Sequence, residues 1–338
     1  MKKVLVTGGA GYIGSHTVVE LISSGYQPII FDDFSNSSPK VIDRIEAITN
    51  VRPEVIEGDI RDESSLRKLF KSHSVGSVIH FAGKKSVAES EEDPFLYFSV
   101  NITGTLALLS AMNLSNVENL VFSSSATVYR AKDQAPMVET DPLGPVNNYG
   151  KTKQLGEMVI EEIARLNPHF RAVLLRYFNP VGAHPSGQIG EAPQSKPNNL
   201  MPYITQVALG KLELLHIFGN DYKTRDGTGA RDFLHVVDLA KAHVNALEYL
   251  KKERGVSVFN LGTGVNTTVL ELVKAFENAN NLTIPYDIQE RRKGDSAICY
   301  ADPSKAKEFL GWVSEKDITD MCRDSWNWQR KNPNGYDS

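Results

Sequence analysis

The sequence predicts an α/β protein, a doubly wound parallel sheet followed by a smaller, loop-rich α/β region. Three observations predict it. Short apolar runs alternate with longer amphipathic stretches through the first 180 residues, the pattern of buried parallel strands with helices on both faces. Connections of this kind are right-handed, which winds the sheet in both directions from its centre. Polar residues recur where the apolar runs end, and ligands bind such sheets beyond the carboxyl ends of the strands. After Pro180 the texture changes to short, irregular pieces.

The elements follow in order. Val4-Leu5-Val6 is the first strand, and Thr7-Gly8-Gly9 leads into a helix from about Ile13 to Ser23. Pro28-Ile29-Ile30-Phe31 precedes Asp32-Asp33, and Val55-Ile56 precedes Gly58-Asp59. Ser77-Val78-Ile79-His80-Phe81 ends at Ala82-Gly83, and Leu120-Val121-Phe122 ends at Ser123-Ser124-Ser125. Ala172 to Tyr177 is the sixth strand and ends near Asn179-Pro180. These six ends should rim one crevice. Residues 181–199 are rich in Gly, Pro and Asn without a period, as expected of a linker or a substrate-covering loop. A further strand, Val256-Ser257-Val258-Phe259, and Gly262-Thr263-Gly264 come later. Residues 1–180 are expected to form the first domain, completed by about 232–264, with 181–231 and 265–338 forming the second.

Composition narrows the class. Of 338 residues, 41% are hydrophobic and 23% charged, enough apolar surface for a sizeable core. Lys and Arg total 37 against 41 acids, a net charge of -4, so no broad positive field invites nucleic acid or an anionic membrane. Two cysteines, Cys299 and Cys322, cannot build a disulfide framework. The apolar stretch at the N-terminus is too short for a signal peptide, and no run is read as approaching the ~18 residues of a membrane span. A cytoplasmic protein is expected.

Gly8-Gly9-Ala10-Gly11-Tyr12-Ile13-Gly14 follows a strand and opens a helix. The first glycines permit a tight turn and close approach to a pyrophosphate, and the last lets helix and strand pack. The helix N-terminus supplies free N–H groups and partial positive charge. Asp32, 24 positions beyond Gly8, is placed to accept hydrogen bonds from ribose hydroxyls and to repel a 2′-phosphate. No arginine follows it closely, so NAD is favoured over NADP, with Asp33 a competing acid. Asp59-Ile60 is placed to touch adenine, or Asp59 caps the next helix.

Tyr149 and Lys153 lie one helical turn apart and share a face. A free phenol with a pKa near 10 is a poor base. An ammonium at ~4 Å contributes about 4 kcal/mol at an effective dielectric of ~20, roughly three pKa units of acidification. Tyr149 is thus expected to take a hydroxyl proton while hydride leaves the carbinol carbon, with a serine of Ser123-Ser124-Ser125 holding the same oxygen. The eight histidines show no paired metal-ligand spacing.

With the glycine loop, the serine strand end and Tyr149-x-x-x-Lys153 in order, the chain resembles the extended short-chain dehydrogenases/reductases. Thr7 to His16, Ser123 to Tyr129, Arg176 to Ala183, and Asn198-Asn199-Leu200-Met201-Pro202-Tyr203 resemble the UDP-glucose 4-epimerases among them. Phe218 to Tyr222, Arg231-Asp232-Phe233 and Arg291-Arg292-x-Gly294-Asp295 extend the likeness over essentially the whole chain.

The resemblance implies an NAD-binding Rossmann domain and a reaction without net redox change. Hydride passes from the sugar C4 to tightly held NAD, the 4-keto sugar turns, and hydride returns to its other face. By position, Tyr149 is the base, Lys153 tunes it and binds the nicotinamide ribose, and Ser125 holds the sugar oxygen; Tyr149 and Lys153 thus also touch the cofactor. Gly8, Gly11, Tyr12, Ile13, Gly14, Asp32, Asp33, Phe34, Ser35, Asn36, Ser37, Asp59, Ile60, Phe81, Ala82, Gly83, Lys85, Asn101, Ser123, Tyr177 and Phe178 would line the cofactor. Lys85, Ala126, Thr127, Asn179, Asn199, Leu200, His216, Ile217, Phe218, Arg231, Arg292 and Asp295 would hold the UDP-hexose. Two arginines suit a diphosphate, because the guanidinium fork matches its oxygens. Affinity held in the UDP part leaves the hexose free to turn.

Cys299 lies where members limited to unacetylated sugars carry tyrosine. The extra volume implies use of UDP-GlcNAc/UDP-GalNAc besides UDP-Glc/UDP-Gal; the alternative is a small residue compensated by its neighbours. Arg130 replaces a usual glycine. The stretch from Phe95 to Met112 is apolar nearly all round, as expected of a helix between the sheet and either a second subunit, as in this family's dimers, or the rest of the chain. A nucleotide-sugar dehydratase on this fold would carry an acidic pair after Ser125, where Ala126-Thr127 stand. A simple dehydrogenase with exchangeable cofactor has the same spacing, and a non-catalytic NAD sensor would be marked by a broken Ser-Tyr-Lys set.

Overall fold

A computed structural model describes residues 2–132, 136–193, 197, 199–292 and 295–337; Asn198 and Gly294 of the quoted motifs lie outside them. Six parallel strands match the six expected: β1 (Lys3–Thr7), β2 (Gln27–Asp32), β3 (Glu54–Glu57), β4 (Val75–His80), β5 (Asn119–Ser125) and β6 (Arg171–Tyr177). Strand Gly255–Leu261 pairs parallel with β6 as a seventh member, so the segment expected to complete the first domain joins the same sheet. The order is Gly255–Leu261, β6, β5, β4, β1, β2, β3. The chain winds outwards from β1 to β3, then returns to β4 on the other flank of β1. That reversal opens a crevice at the carboxyl ends of β1 and β4, the usual ligand position in such sheets.

Strand period sends alternate residues to opposite faces. Val4, Val6, Ile30 and Ile79 enter the core on one face, with Val18 and Leu21 of helix Tyr12–Ser23 and Leu239 and Leu247 of helix Val236–Leu250. Leu5, Ile29, Phe31 and Val78 enter the other, beneath helices Glu63–Ser72 and Gly104–Leu114. A third core joins Met201, Ile204, Leu215, Ile217, Phe233, Phe276 and Met321 of the C-terminal half. The C-terminal stretch does not stay with that half. Leu310, Trp312, Trp328 and Tyr336 pack into the first core.

The apolar stretch around Phe95 is a continuous helical run with a defect. Helix Pro94–Phe98 passes through a π-helical turn, Ser99–Thr103, into helix Gly104–Leu114. Contrary to the sequence reading, Pro94–Leu114 is long and apolar enough to cross a membrane by length and composition, with half of its most apolar window buried within the fold. Met112, Leu108 and Tyr97 are buried, whereas Phe95, Leu106 and Leu114 stay exposed.

Residues 181–193 are not a free linker. His184 N–H donates to the Ile189 carbonyl at 3.1 Å, and Ile189 is buried. Trp328 Nε1 donates to the Glu191 carbonyl at 3.2 Å, and Asn332 Nδ2 to that of Gly187 at 3.0 Å. The C-terminal helix Ile318–Lys331 therefore pins this arm against the crevice.

Candidate active site

The glycine loop is shaped for close approach. Gly8 has φ +68°, and a Cβ there would meet the Ala82 nitrogen at 2.7 Å. A Cβ on Gly14 would sit 2.3 Å from the Gly8 carbonyl oxygen. Gly11 caps the helix that begins at Tyr12 without a side-chain hydrogen bond, leaving first-turn N–H groups for an anion. Asp32, buried at the end of β2, accepts from Ala10 N–H at 2.9 Å, Phe34 N–H at 3.0 Å and the Ser37 hydroxyl at 2.8 Å. Burial raises its pKa, and those three hydrogen bonds oppose the rise. Asp33 is exposed and accepts instead from Ser35 N–H at 2.9 Å and its hydroxyl at 2.7 Å. Of the two acids, Asp32 faces the glycine loop; Asn36 is exposed beside it.

Asp59 forms an ion pair with Arg61 at 2.5 Å. The cap of helix Glu63–Ser72 is Asp62, which accepts from Ser64 and Ser65 N–H, so the alternative role given to Asp59 belongs to its neighbour. Ile60 is buried against Gly104, where a Cβ would come within 2.6 Å of its side chain. Asn101 sits in the π turn, a frequent feature of functional sites. Its Oδ1 accepts from Lys84 N–H at 2.8 Å, and its Nδ2 donates to the Lys84 carbonyl at 3.1 Å and Thr152 Oγ1 at 2.9 Å. The Phe81–Lys85 loop is thereby tied to the helix that carries Tyr149.

That helix, Asn148–Leu166, is fixed at its start. Asn147 caps it by accepting from Gly150 N–H at 2.7 Å, and Ser90 Oγ accepts from Tyr149 N–H at 3.1 Å. Tyr149 is half-buried, and its phenol is close enough to Ser125, at the end of β5, for that side chain to counter the effect of burial. Ser125 Oγ also accepts from Thr127 N–H at 3.2 Å and Thr127 Oγ1 at 3.0 Å. Lys153 Nζ lies 5.9 Å from the Tyr149 ring centroid and donates to the Ser123 carbonyl at 2.7 Å. Ser123 Oγ is hydrogen-bonded to the Tyr177 hydroxyl.

At Tyr149 the cost of burying a charge outweighs the acidification expected from its neighbours. Burial pushes its phenol up to about 12, with the Ser125 side chain opposing. Burial also lowers Lys153 to about 8, against the opposing charge of Glu157. Desolvation penalises both charged forms, and the ammonium is engaged by a carbonyl rather than aimed at the phenol.

The residues expected to hold the nucleotide gather in two clusters. Arg292 stacks 5.1 Å from the Phe218 ring centroid and pairs with Asp295 at 2.9 Å. Arg231 approaches Asp295 at 3.8 Å and donates to the carbonyls of Ala230 at 2.9 Å and Ser296 at 3.0 Å. In the other cluster, Glu191 Oε1 accepts from Lys85 Nζ and Asn199 Nδ2, both at 2.8 Å. Leu200 begins helix Leu200–Ala208 directly after Asn199. Two further residues of the expected set lie in unlike surroundings. Ile217 is buried in the third core, so only its backbone can face a ligand. His216 is exposed and paired with Asp287 at 2.6 Å. Cys299 packs on the small apolar cluster that includes Phe178 and Ala126, beside the Ser125 strand end.

A family model described as GDP-mannose 4,6 dehydratase matches residues 5–325. A curated UDP-glucose 4-epimerase of Dictyostelium discoideum is 53% identical over 99% of this chain and 97% of its own. The chain belongs to the UDP-glucose 4-epimerase family. The solved epimerase of Stenotrophomonas maltophila, with bound NAD and formylated UDP-arabinopyranose, superposes with TM-score 0.97 at 48% identity, over 98% of this chain and 99% of that one. That of Bifidobacterium longum, in complex with NAD+ and UDP, has TM-score 0.95 at 48% identity, covering 99% of this chain and all of the other.

Several residues that organise the site escaped the sequence reading. Glu157 and Arg176 form a buried bidentate pair, with Nε–Oε1 at 2.9 Å and Nη2–Oε2 at 2.6 Å, and Ser124 Oγ donates to Glu157 at 2.5 Å. The signal was present: Tyr149, Lys153 and Glu157 recur every four residues on one helix face. Glu191 carried no comparable signal, because its partners lie 106 and 8 residues away. Arg130 is exposed beside Gly144, and nothing in the structure gives it a role in the site.

Proposed function

We propose that this chain interconverts the C4 epimers of UDP-hexoses, UDP-glucose and UDP-galactose first, using NAD held at the glycine loop. The observation that carries the reading is the meeting of Tyr149 and Ser125 at the end of β5, with Lys153 Nζ 5.9 Å from the Tyr149 ring centroid. The cradle left by Gly8, Gly11 and Gly14, the bare helix N-terminus and the inward Asp32 suit a dinucleotide. When bound, NAD supplies a site that accepts hydride from C4 and gives it back.

The protein's own contribution is proton handling and restraint. Ser125 holds the C4 oxygen, and Tyr149 removes its proton and later restores it. Burial favours the protonated phenol of Tyr149, and the positive charge of the oxidised cofactor would oppose this and favour the phenolate. Lys153, anchored on the Ser123 carbonyl, is placed to hold the cofactor ribose. Arg231, Arg292, Asn179 and Asn199 would hold the UDP part, leaving the hexose to turn between two faces. Ala126 and Thr127 offer no acid for elimination, which weighs against a dehydratase.

Three finer points belong to the same reading. Cys299, small and beside Ala126 and Phe178, leaves room for an N-acetyl group, so UDP-GlcNAc and UDP-GalNAc are proposed as further substrates. Exposed Phe95 and Leu106, with Leu155 and Met158 on helix Asn148–Leu166, support a homodimer through these two helices. A cytoplasmic location is proposed, in keeping with two unpaired cysteines.

The test is incubation with UDP-galactose, with and without added NAD. UDP-glucose formed without accumulating NADH is the expected result. Stoichiometric NADH or a 4-keto-6-deoxy product would overturn the reading. So would full activity of Tyr149→Phe, since loss of general-base catalysis should cost about 10²–10⁴-fold.

A further inference from the structure

Asp232 is fully buried, yet it carries no role in the chemistry above. Its carboxylate is the meeting point of three segments. Oδ1 accepts from Thr263 N–H at 2.8 Å and Thr263 Oγ1 at 2.7 Å. Oδ2 accepts from Gly264 N–H at 3.0 Å and Ala301 N–H at 3.1 Å. The backbone of the same residue adds a second link to the Cys299–Ala301 segment and one to a further segment: Asp232 N–H donates to the Cys299 carbonyl at 3.1 Å, and Asn179 N–H donates to the Asp232 carbonyl at 3.0 Å. Gly262 is held to a bare backbone by this arrangement, since a Cβ there would lie 2.4 Å from Oδ2.

The segments gathered are those that present substrate groups. Arg231 precedes Asp232 in a two-residue strand paired with Ile298–Cys299, in register Arg231 opposite Cys299. Asn179 lies opposite Phe233, the residue after Asp232, in a second small parallel pair. These strands are two or three residues long, too short to hold their own register by ladder hydrogen bonds alone. A buried carboxylate with four donors from two other loops supplies the missing restraint.

We propose that Asp232 is the positioning residue that sets the spacing between Arg231, Asn179 and Cys299, and thereby the affinity and sugar selectivity of the substrate pocket. The proposal rests on the reading of Arg231 as a diphosphate ligand. Asp232 itself touches no reacting atom. Its effect runs through the loop ending in Gly264 on one side and the Cys299–Ala301 segment on the other.

Asp232→Asn is nearly isosteric, but in either orientation its NH2 confronts at least one backbone N–H now satisfied by a carboxylate oxygen. The expected result is a KM for UDP-galactose raised at least tenfold with kcat within about threefold of wild type. The selectivity between acetylated and unacetylated sugars should also shift, while bound NAD is retained. Thr263→Val, which removes the hydroxyl that donates to Oδ1 and accepts from Val265 N–H at 3.2 Å but keeps the backbone N–H bonds to the carboxylate, should move KM the same way by a smaller factor, and Thr263→Ser should restore it. If Asp232→Asn does not fold, the Thr263 pair still decides the matter. Equal losses in kcat and KM, loss of NAD in parallel, or unchanged kinetics in Thr263→Val would overturn the proposal. Arg231→Ala separates the two readings: unchanged UDP affinity in that variant sinks the site assignment, whereas weakened affinity there with normal KM in Asp232→Asn sinks only this inference.

Discussion

Replacing Glu157 by leucine should destabilise the fold far more than an average surface change. Both partners of the Glu157–Arg176 pair are almost wholly buried, with side chains 2% and 4% exposed. Burial opposes the Arg176 charge, but the hydrogen bonds and charge of Glu157 outweigh it and hold the guanidinium pKa above its ordinary value. Glu157→Leu leaves that guanidinium with only the Tyr129 hydroxyl at 3.1 Å and the Glu139 carbonyl at 3.2 Å. It also deprives Ser124 Oγ of its acceptor, next to the residue that contacts Tyr149. Breaking a buried pair by removing one partner costs about 3–5 kcal/mol. Large domains lose about 2 °C in melting temperature per kcal/mol at the lower end of the usual range, so a drop of roughly 6–10 °C is expected. The double variant Glu157→Leu/Arg176→Met removes both charges and should recover most of the loss. Thermal denaturation of Glu157→Leu, Arg176→Met and the double variant, followed by far-ultraviolet circular dichroism, measures the cycle. A shift below about 2 °C for Glu157→Leu, or a double variant worse than the sum of the singles, refutes the reasoning.

Stability should fall steeply in acid. Burial holds His16 and His80 neutral down to about 3 and His243 to about 4. Between the unfolded value near 6.5 and those depressed values only the unfolded chain takes up these protons. The stabilisation is therefore complete above about pH 6.5 and is lost as pH falls, with a slope of up to roughly 4 kcal/mol per pH unit. Urea midpoints measured from pH 7 to 4 check this, and a flat profile contradicts it. Gly14→Ala should lose bound NAD and stability, because its Cβ would lie 2.3 Å from a backbone oxygen; NAD content after gel filtration is the readout, and full retention contradicts it. Cys299→Tyr should reduce turnover of UDP-GalNAc at least tenfold while sparing UDP-galactose. Equal loss on both sugars, or no wild-type activity on the acetylated pair, would remove the selectivity argument.

Local periodicity and motif spacing, read in the sequence alone, were enough for the six strands, the glycine loop, the Tyr149–Lys153 face and the end of β5 at Ser125. Those features depend on residues within a few positions of one another, where strand and helix periods act directly. The seventh strand was legible as a strand, but its place beside β6 is a tertiary fact. The run Pro94–Leu114 does not read as membrane-length in the sequence, because polar residues such as Asn101 break the apolar stretch while its mean hydropathy stays high.

What only the folded chain decided is where buried charge goes and how it is satisfied. The Glu157–Arg176 pair, the Asp232 junction and the Glu191 bridge join residues 8 to 106 positions apart. No local period records such contacts. Sign and size of the shifts at Tyr149 and Lys153 were likewise tertiary, because desolvation depends on everything packed around a group, whereas sequence spacing reveals only the nearest charge on the same helix. Residue type and order thus determined the chemistry available to this protein; the packing of distant segments determined which of those groups meet, and in which protonation state.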